Sequence, residues 1–91
     1  MADRADLPPP TIESLITGLA TQAMFSLGAI AHPETKETKV DLPAARYAID
    51  LLTTLEEKTK GNLSAAEQQH LTRILHEVRM VFVEASRAPQ S

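Results

Sequence analysis

The sequence contains no cysteine and no tryptophan, and its aromatic residues are two phenylalanines and one tyrosine. The missing cysteines exclude a disulfide, a thiolate metal ligand and a cysteine nucleophile. A reducing compartment is compatible with that composition. The N-terminus also lacks the basic segment and apolar segment that together make a secretory signal. We therefore expect a cytoplasmic protein.

The sequence also lacks an excess of basic residues, because the formal net charge of the 91 residues is −3. Nucleic-acid-binding proteins usually carry a basic face, and single-strand binders need several exposed aromatic rings. We therefore expect no nucleic-acid partner. A chain this short forms at most one domain and buries only about 60–65% of its unfolded surface. Its single core is marginal, so a partner subunit would help to stabilise it.

Apolar residues recur at helical spacing from Ile12 to about Ala29 or Ile30, which predicts the first helix. They are Ile12, Leu15, Ile16, Leu19, Ala20, Ala23, Leu27 and Ile30. Thr11 is placed to cap this helix. Residues 1–10 contain three consecutive prolines and are interpreted as a flexible Pro-rich tail. Residues 11–86 form the single helical domain in this interpretation, and residues 87–91 form a frayed tail.

The first helix carries no ionisable group from Leu15 to Ala31. A helix side that faces water normally carries charges, so this one is expected to be covered. A second subunit is the favoured cover, and the helices of the same chain are the alternative. The predicted oligomer interface consists of Thr17, Gly18, Thr21, Phe25 and Gly28. A membrane span is not expected, because polar residues interrupt a stretch shorter than the roughly 20 apolar residues that a span requires.

Two further helices are predicted, from Leu42 to about Lys60 and from after Ser64 to about Ala85 or Ser86. Asp41 is placed to cap the second helix. Gly61 follows its basic end, where a left-handed residue is needed. Ser64 and Glu67 have the spacing of a capping box that starts the third helix.

The third helix has an apolar stripe in near-heptad spacing, which favours packing along a neighbouring helix. The stripe consists of Leu71, Ile74, Leu75, Val78, Val81 and Phe82. The predicted fold is all-α. It is a three-helix unit in which helices two and three form an antiparallel hairpin, and dimerisation completes it.

Five blocks of the sequence resemble a small bacterial family known as domain of unknown function 1844. The blocks are Pro33–Thr35, Val40–Ala45, Ala48–Leu52, Glu57–Leu63 and Leu75–Met80. The resemblance extends from about Thr11 to Val83, and Glu57–Leu63 is its most specific part. It implies a soluble, short, helical protein and carries over no activity, cofactor or catalytic residue. The family turn reads Pro-Glu-Thr-Gly, whereas this chain has Lys36 at the glycine position.

Glu67 and His70 have the Glu-x-x-His spacing of carboxylate-bridged di-metal bundles. Such sites need two of these pairs and two further glutamates, and a symmetric dimer could supply the second pair. The simpler interpretation is a cap with a flanking surface histidine, so we predict no metal and no other cofactor. No nucleophile elbow or phosphate-binding loop is visible, and no catalytic residue is predicted.

The favoured function is that of a non-enzymatic, homo-oligomerising protein-interaction module with an unknown protein partner. The first alternative is a bundle that binds a metal or small ligand through Glu67 and His70. The second alternative is a DNA-associated helix-turn-helix, because the Gly61 turn joins two helices. Its second helix would offer Gln68, Gln69, Arg73 and Arg79, together with the acidic Glu67, Glu77 and Glu84.

Overall fold

The computed structural model describes Leu7 and residues 9–87. It contains three helices, α1 (Ile12–Ser26), α2 (Leu42–Lys58) and α3 (Ala65–Arg87). The prediction of an all-α, three-helix unit is confirmed. Most of the predicted Pro-rich tail (residues 1–6 and 8) and of the frayed tail (residues 88–91) lies outside the described residues.

The first two helices begin at the predicted capping residues. The Thr11 hydroxyl accepts a hydrogen bond from the backbone N–H of Ser14 at 3.1 Å. The Asp41 carboxylate accepts one from the N–H of Ala44, also at 3.1 Å. Each cap satisfies one of the backbone donors that a helix start leaves without an intrahelical partner. Pro43 lies in the first turn of α2, where a missing N–H costs nothing.

Helix α1 ends in a Schellman motif. The N–H of Gly28 donates to the Phe25 carbonyl at 3.1 Å, and the N–H of Ala29 donates to the Met24 carbonyl at 3.0 Å. Gly28 has φ +73°, the left-handed conformation that this motif requires. The expectation that helix one continues to Ala29 or Ile30 is therefore wrong, because the left-handed glycine ends the helix at Ser26.

The connection from α1 to α2 folds back along the end of α1. Leu27 and Val40 form an isolated antiparallel bridge, and the N–H of Asp41 donates to the Ser26 carbonyl at 2.7 Å. Between them, Lys36 has φ +59° and its N–H donates to the His32 carbonyl at 2.7 Å. The lysine thus takes the left-handed conformation that a glycine at this position would adopt without strain.

The core consists of apolar side chains from all three helices. Its buried members are Ile16, Ala20, Ala23, Ala48, Ile49, Leu52, Leu71, Leu75 and Val78. Helix α1 contributes two alanines and one isoleucine, whereas α3 contributes larger branched residues. Leu15, predicted for the apolar stripe of helix one, instead remains 51% exposed. It lies at the margin of the stripe and outside the contact with α2 and α3.

Besides the core contacts, a hydrogen bond and a cation–π contact join side chains of α2 and α3. The Arg79 guanidinium donates to the Thr53 hydroxyl at 2.9 Å. The Cζ atom of Arg46 lies 5.7 Å from the centroid of the Phe82 ring, within range of a cation–π interaction. The earlier residue of α2 thus contacts the later residue of α3, which is the order that an antiparallel hairpin requires. The antiparallel geometry itself stays a prediction. No helix in the described part of the chain is long and apolar enough to cross a membrane.

Candidate association surface

The uncharged side of α1 is exposed in the single chain. Its exposed members are Leu15, Thr17, Gly18, Thr21 and Gln22, which we call the α1 face. The other two residues predicted for the interface are partly covered by the connection that follows α1. Phe25 is half-buried, with its ring centroid 5.4 Å from that of His32, and Gly28 lies beyond the helix, next to Val40. The helices of this chain therefore leave the first half of the predicted interface uncovered.

A shallow depression of about 430 Å³ lies beside the α1 face. It is lined by Glu13, Ser14, Thr17, Gly18 and His70. A Cβ atom built onto Gly18 would meet no other atom within 4 Å. Gly18 is therefore not needed for packing within this chain, and the space above it is wide enough for a side chain from another molecule.

The turn between α2 and α3 is tight and depends on Gly61. Helix α2 ends at Lys58, two residues earlier than predicted, and Thr59 is its C-cap. The Thr59 carbonyl then accepts from the N–H of Asn62 at 2.8 Å. Gly61 stands third in this four-residue turn with φ +85°. These are the features of a type II turn, in which the third residue must adopt a positive φ.

Ser64 and Glu67 form the reciprocal hydrogen bonds of a capping box at the start of α3. The Ser64 hydroxyl accepts from the N–H of Glu67 at 3.2 Å, and the Glu67 carboxylate accepts from the N–H of Ser64 at 2.8 Å. Both bonds satisfy donors that the helix start leaves unpaired. Glu67 thus has a structural role at the start of α3.

His70, the second residue of the candidate metal pair, contacts Arg73. Its Nδ1 atom lies 3.0 Å from a guanidinium nitrogen of Arg73. A guanidinium can only donate, so Nδ1 is the acceptor in this hydrogen bond. The described residues contain no group of three or more histidine, aspartate or glutamate side chains placed to hold a metal ion. Within residues 9–87, no third ligand is therefore placed with Glu67 and His70.

A second exposed surface lies on α3, and the sequence analysis did not identify it. Met80 and Val83 are 52% and 45% exposed. They line a depression of about 300 Å³ together with His76, Arg79, Glu84 and Arg87, all from the same helix. We call these six residues the α3 outer face. Their signal in the sequence is the spacing of His76, Met80, Val83 and Arg87, which repeats every three or four residues on the side opposite the core stripe.

Comparison with known families extends the resemblance seen in the sequence. The chain matches the family described as domain of unknown function (DUF1844) over residues 9–84. Comparisons with curated proteins and with solved structures found no match. The family match covers α1, α2 and most of α3, including the Gly61 turn and the capping box. The chain therefore belongs to the DUF1844 family.

Proposed function

We propose that this chain is a non-enzymatic helical module that associates with a second copy of itself through the α1 face. The observation that carries the proposal is that this face is exposed and yet contains no ionisable side chain. A helix side that remains in water normally carries charges, which keep the folded chain soluble and monomeric. Contact with a second subunit would account for their absence here.

The shape of the α1 face supports a close contact between helices. Thr17, Gly18 and Thr21 are small, and the side chains at a contact determine how closely two helix axes approach. The depression beside Gly18 would receive a larger side chain of the partner, such as the exposed Leu15. A two-fold axis places each face against its own copy, so both depressions are filled in the same way. The assembled dimer would then present its remaining surfaces to another protein partner.

Static light scattering of the purified chain tests this proposal. The parent chain should have twice its monomer mass of 9.9 kDa at micromolar concentration. Thr21→Glu should give a monomer, because an unpaired charge buried in a helix contact costs several kcal/mol. The matched control is Thr54→Glu, which places the same charge on an exposed residue of α2 and should leave the dimer intact. A monomeric parent, or a Thr21→Glu variant that stays dimeric, would contradict the proposal.

A further inference from the structure

We propose that the α3 outer face is a second self-association surface, on which α3 of another copy lies parallel to α3 of this chain. The proposal does not depend on the contact through the α1 face. Met80 and Val83 occupy the centre of the surface, and His76 and Arg87 extend it in both directions. The successive spacings of four, three and four residues are those of the a and d positions of a heptad. This stripe is separate from the stripe of Leu71, Leu75 and Val78, which is buried in the core.

Charge complementarity identifies the occupant as a second copy. If Met80 is an a position and Val83 a d position, Arg79 is a g position and Glu84 an e position. In a parallel pair of helices, a g residue of one chain faces the e residue five positions later in the other chain, and such pairs select partner and orientation. Because a two-fold axis relates the two copies, Arg79 of each copy faces Glu84 of the other. The ion pair therefore forms twice, once on each side of the apolar centre.

The same residues disfavour an antiparallel pair. An antiparallel arrangement brings e positions of the two chains together, and both e positions here are acidic, Glu77 and Glu84. Like charges that face each other are repulsive. Arg79 is also held on the correct helix flank, because its guanidinium donates to Thr53 at 2.9 Å and keeps its other N–H groups for a carboxylate. A parallel pair also places Arg87 beside Arg87 of the other copy at one end of the surface, so the charges that favour a parallel partner are those of the e and g positions at its centre.

The expected contact is weak, because stable protein interfaces bury about 1,200–2,000 Å² in total and this surface belongs to one helix only. Covalent trapping is therefore the appropriate assay. The chain contains no cysteine, so a single introduced cysteine is its only thiol. A parallel pair places residue 80 beside residue 80 of the other copy. Met80→Cys should consequently form a disulfide-linked dimer in a glutathione buffer faster than Thr54→Cys, the exposed control on α2.

Mixing experiments test the orientation. An equimolar mixture of Met80→Cys and Val83→Cys should form mainly disulfides between identical chains, because a parallel pair aligns equal residue numbers. A predominance of the mixed disulfide would indicate an antiparallel pair and overturn the proposal. Equal rates for Met80→Cys and Thr54→Cys would also overturn it.

Charge reversal tests the ion pair. Arg79→Glu, added to Met80→Cys, should slow disulfide formation by about threefold to tenfold, since it replaces two attractions of ordinary surface strength by repulsions. Adding Glu84→Arg to that variant should restore the parent rate. An unchanged rate with Arg79→Glu alone would contradict the pair.

The two association surfaces are distinguished by combining Met80→Cys with Thr21→Glu. The combined variant should still form the disulfide, although the α1 contact is lost. Loss of the disulfide would show that the α3 contact does not form without the α1 contact. A monomeric Thr21→Glu mass together with rapid disulfide formation would support both surfaces, and failure of either one leaves the other testable.

Discussion

The same substitution should have opposite effects on stability at two glycines. Gly18 lies inside α1, and Gly61 lies in the turn before α3 with φ +85°. At neither position would an added Cβ atom meet another atom within 4 Å. Alanine therefore changes no packing contact within the chain at either site. The backbone conformation alone decides whether the free energy of unfolding rises or falls.

The magnitudes follow from that difference. Gly18→Ala should stabilise the fold by about 0.5–1 kcal/mol, because glycine loses more backbone freedom in a helix than alanine does. At Gly61 the left-handed conformation costs an alanine about 1–2 kcal/mol. Alanine also restricts the unfolded chain more than glycine does, and this effect offsets about 0.4–1 kcal/mol of that cost. Gly61→Ala should therefore destabilise the fold by roughly 1 kcal/mol, which is about 4–8 °C in melting temperature for a domain of this size.

Urea and thermal unfolding followed by circular dichroism measure both effects. The experiment is run at concentrations where the midpoint does not depend on protein concentration, so that association makes no contribution. Gly61→Asn is the control, since asparagine tolerates the left-handed conformation and should lose less stability than Gly61→Ala. If alanine changed the free energy of unfolding in the same direction at Gly18 and Gly61, backbone conformation would not be the cause of the effect.

Three further predictions concern single side chains. Ser64→Ala should lower the free energy of unfolding by about 1 kcal/mol through loss of the helix cap, measured by urea unfolding; an unchanged midpoint would show that the capping box makes no net contribution. Lys36→Gly should raise the melting temperature, because glycine removes a backbone strain of about 1–2 kcal/mol at φ +59°. The greater freedom of glycine in the unfolded chain offsets only part of this gain. A lower melting temperature would mean that the lysine side chain stabilises the connection. Elemental analysis of the purified protein should give the same metal content for the parent, Glu67→Gln and His70→Ala, and a stoichiometric metal that disappears with either variant would favour the metal-binding bundle.

Local features of this fold could be predicted from the sequence because neighbouring residues determine them. A capping residue acts within one helical turn. The side chains of Thr11, Asp41 and Ser64 each accept a hydrogen bond from the backbone N–H three residues later, as their positions predict. The conformation of Gly61 is local in the same sense. Each of these motifs needs only the residues on either side of it.

Features that depend on distant residues were not predictable in the same way. The apolar spacing of α1 continues through Leu27 to Ile30, and Gly28 is a local signal for the end of the helix that the apolar pattern hid. The bridge from Leu27 to the distant Val40 could not be predicted. Leu15 and Phe25 both lie in the helical pattern of α1, yet Leu15 remains exposed, whereas Phe25 is half-buried beside His32 of the connection, which the helical pattern does not describe. The α3 outer face was missed because the larger apolar residues of the core stripe account for the same heptad spacing.

The share of α1 in the core has a consequence for local opening. Helix α1 buries Ile16, Ala20 and Ala23, and its half-buried Ile12, Leu19 and Met24 pack against the same core. Helix α1 contacts both α2 and α3. Detaching α1 would uncover the core as a whole, so its amide hydrogens should exchange with solvent mainly through unfolding of the entire domain. A ligand or subunit that holds the α1 face would slow that exchange and couple association to the integrity of the whole domain.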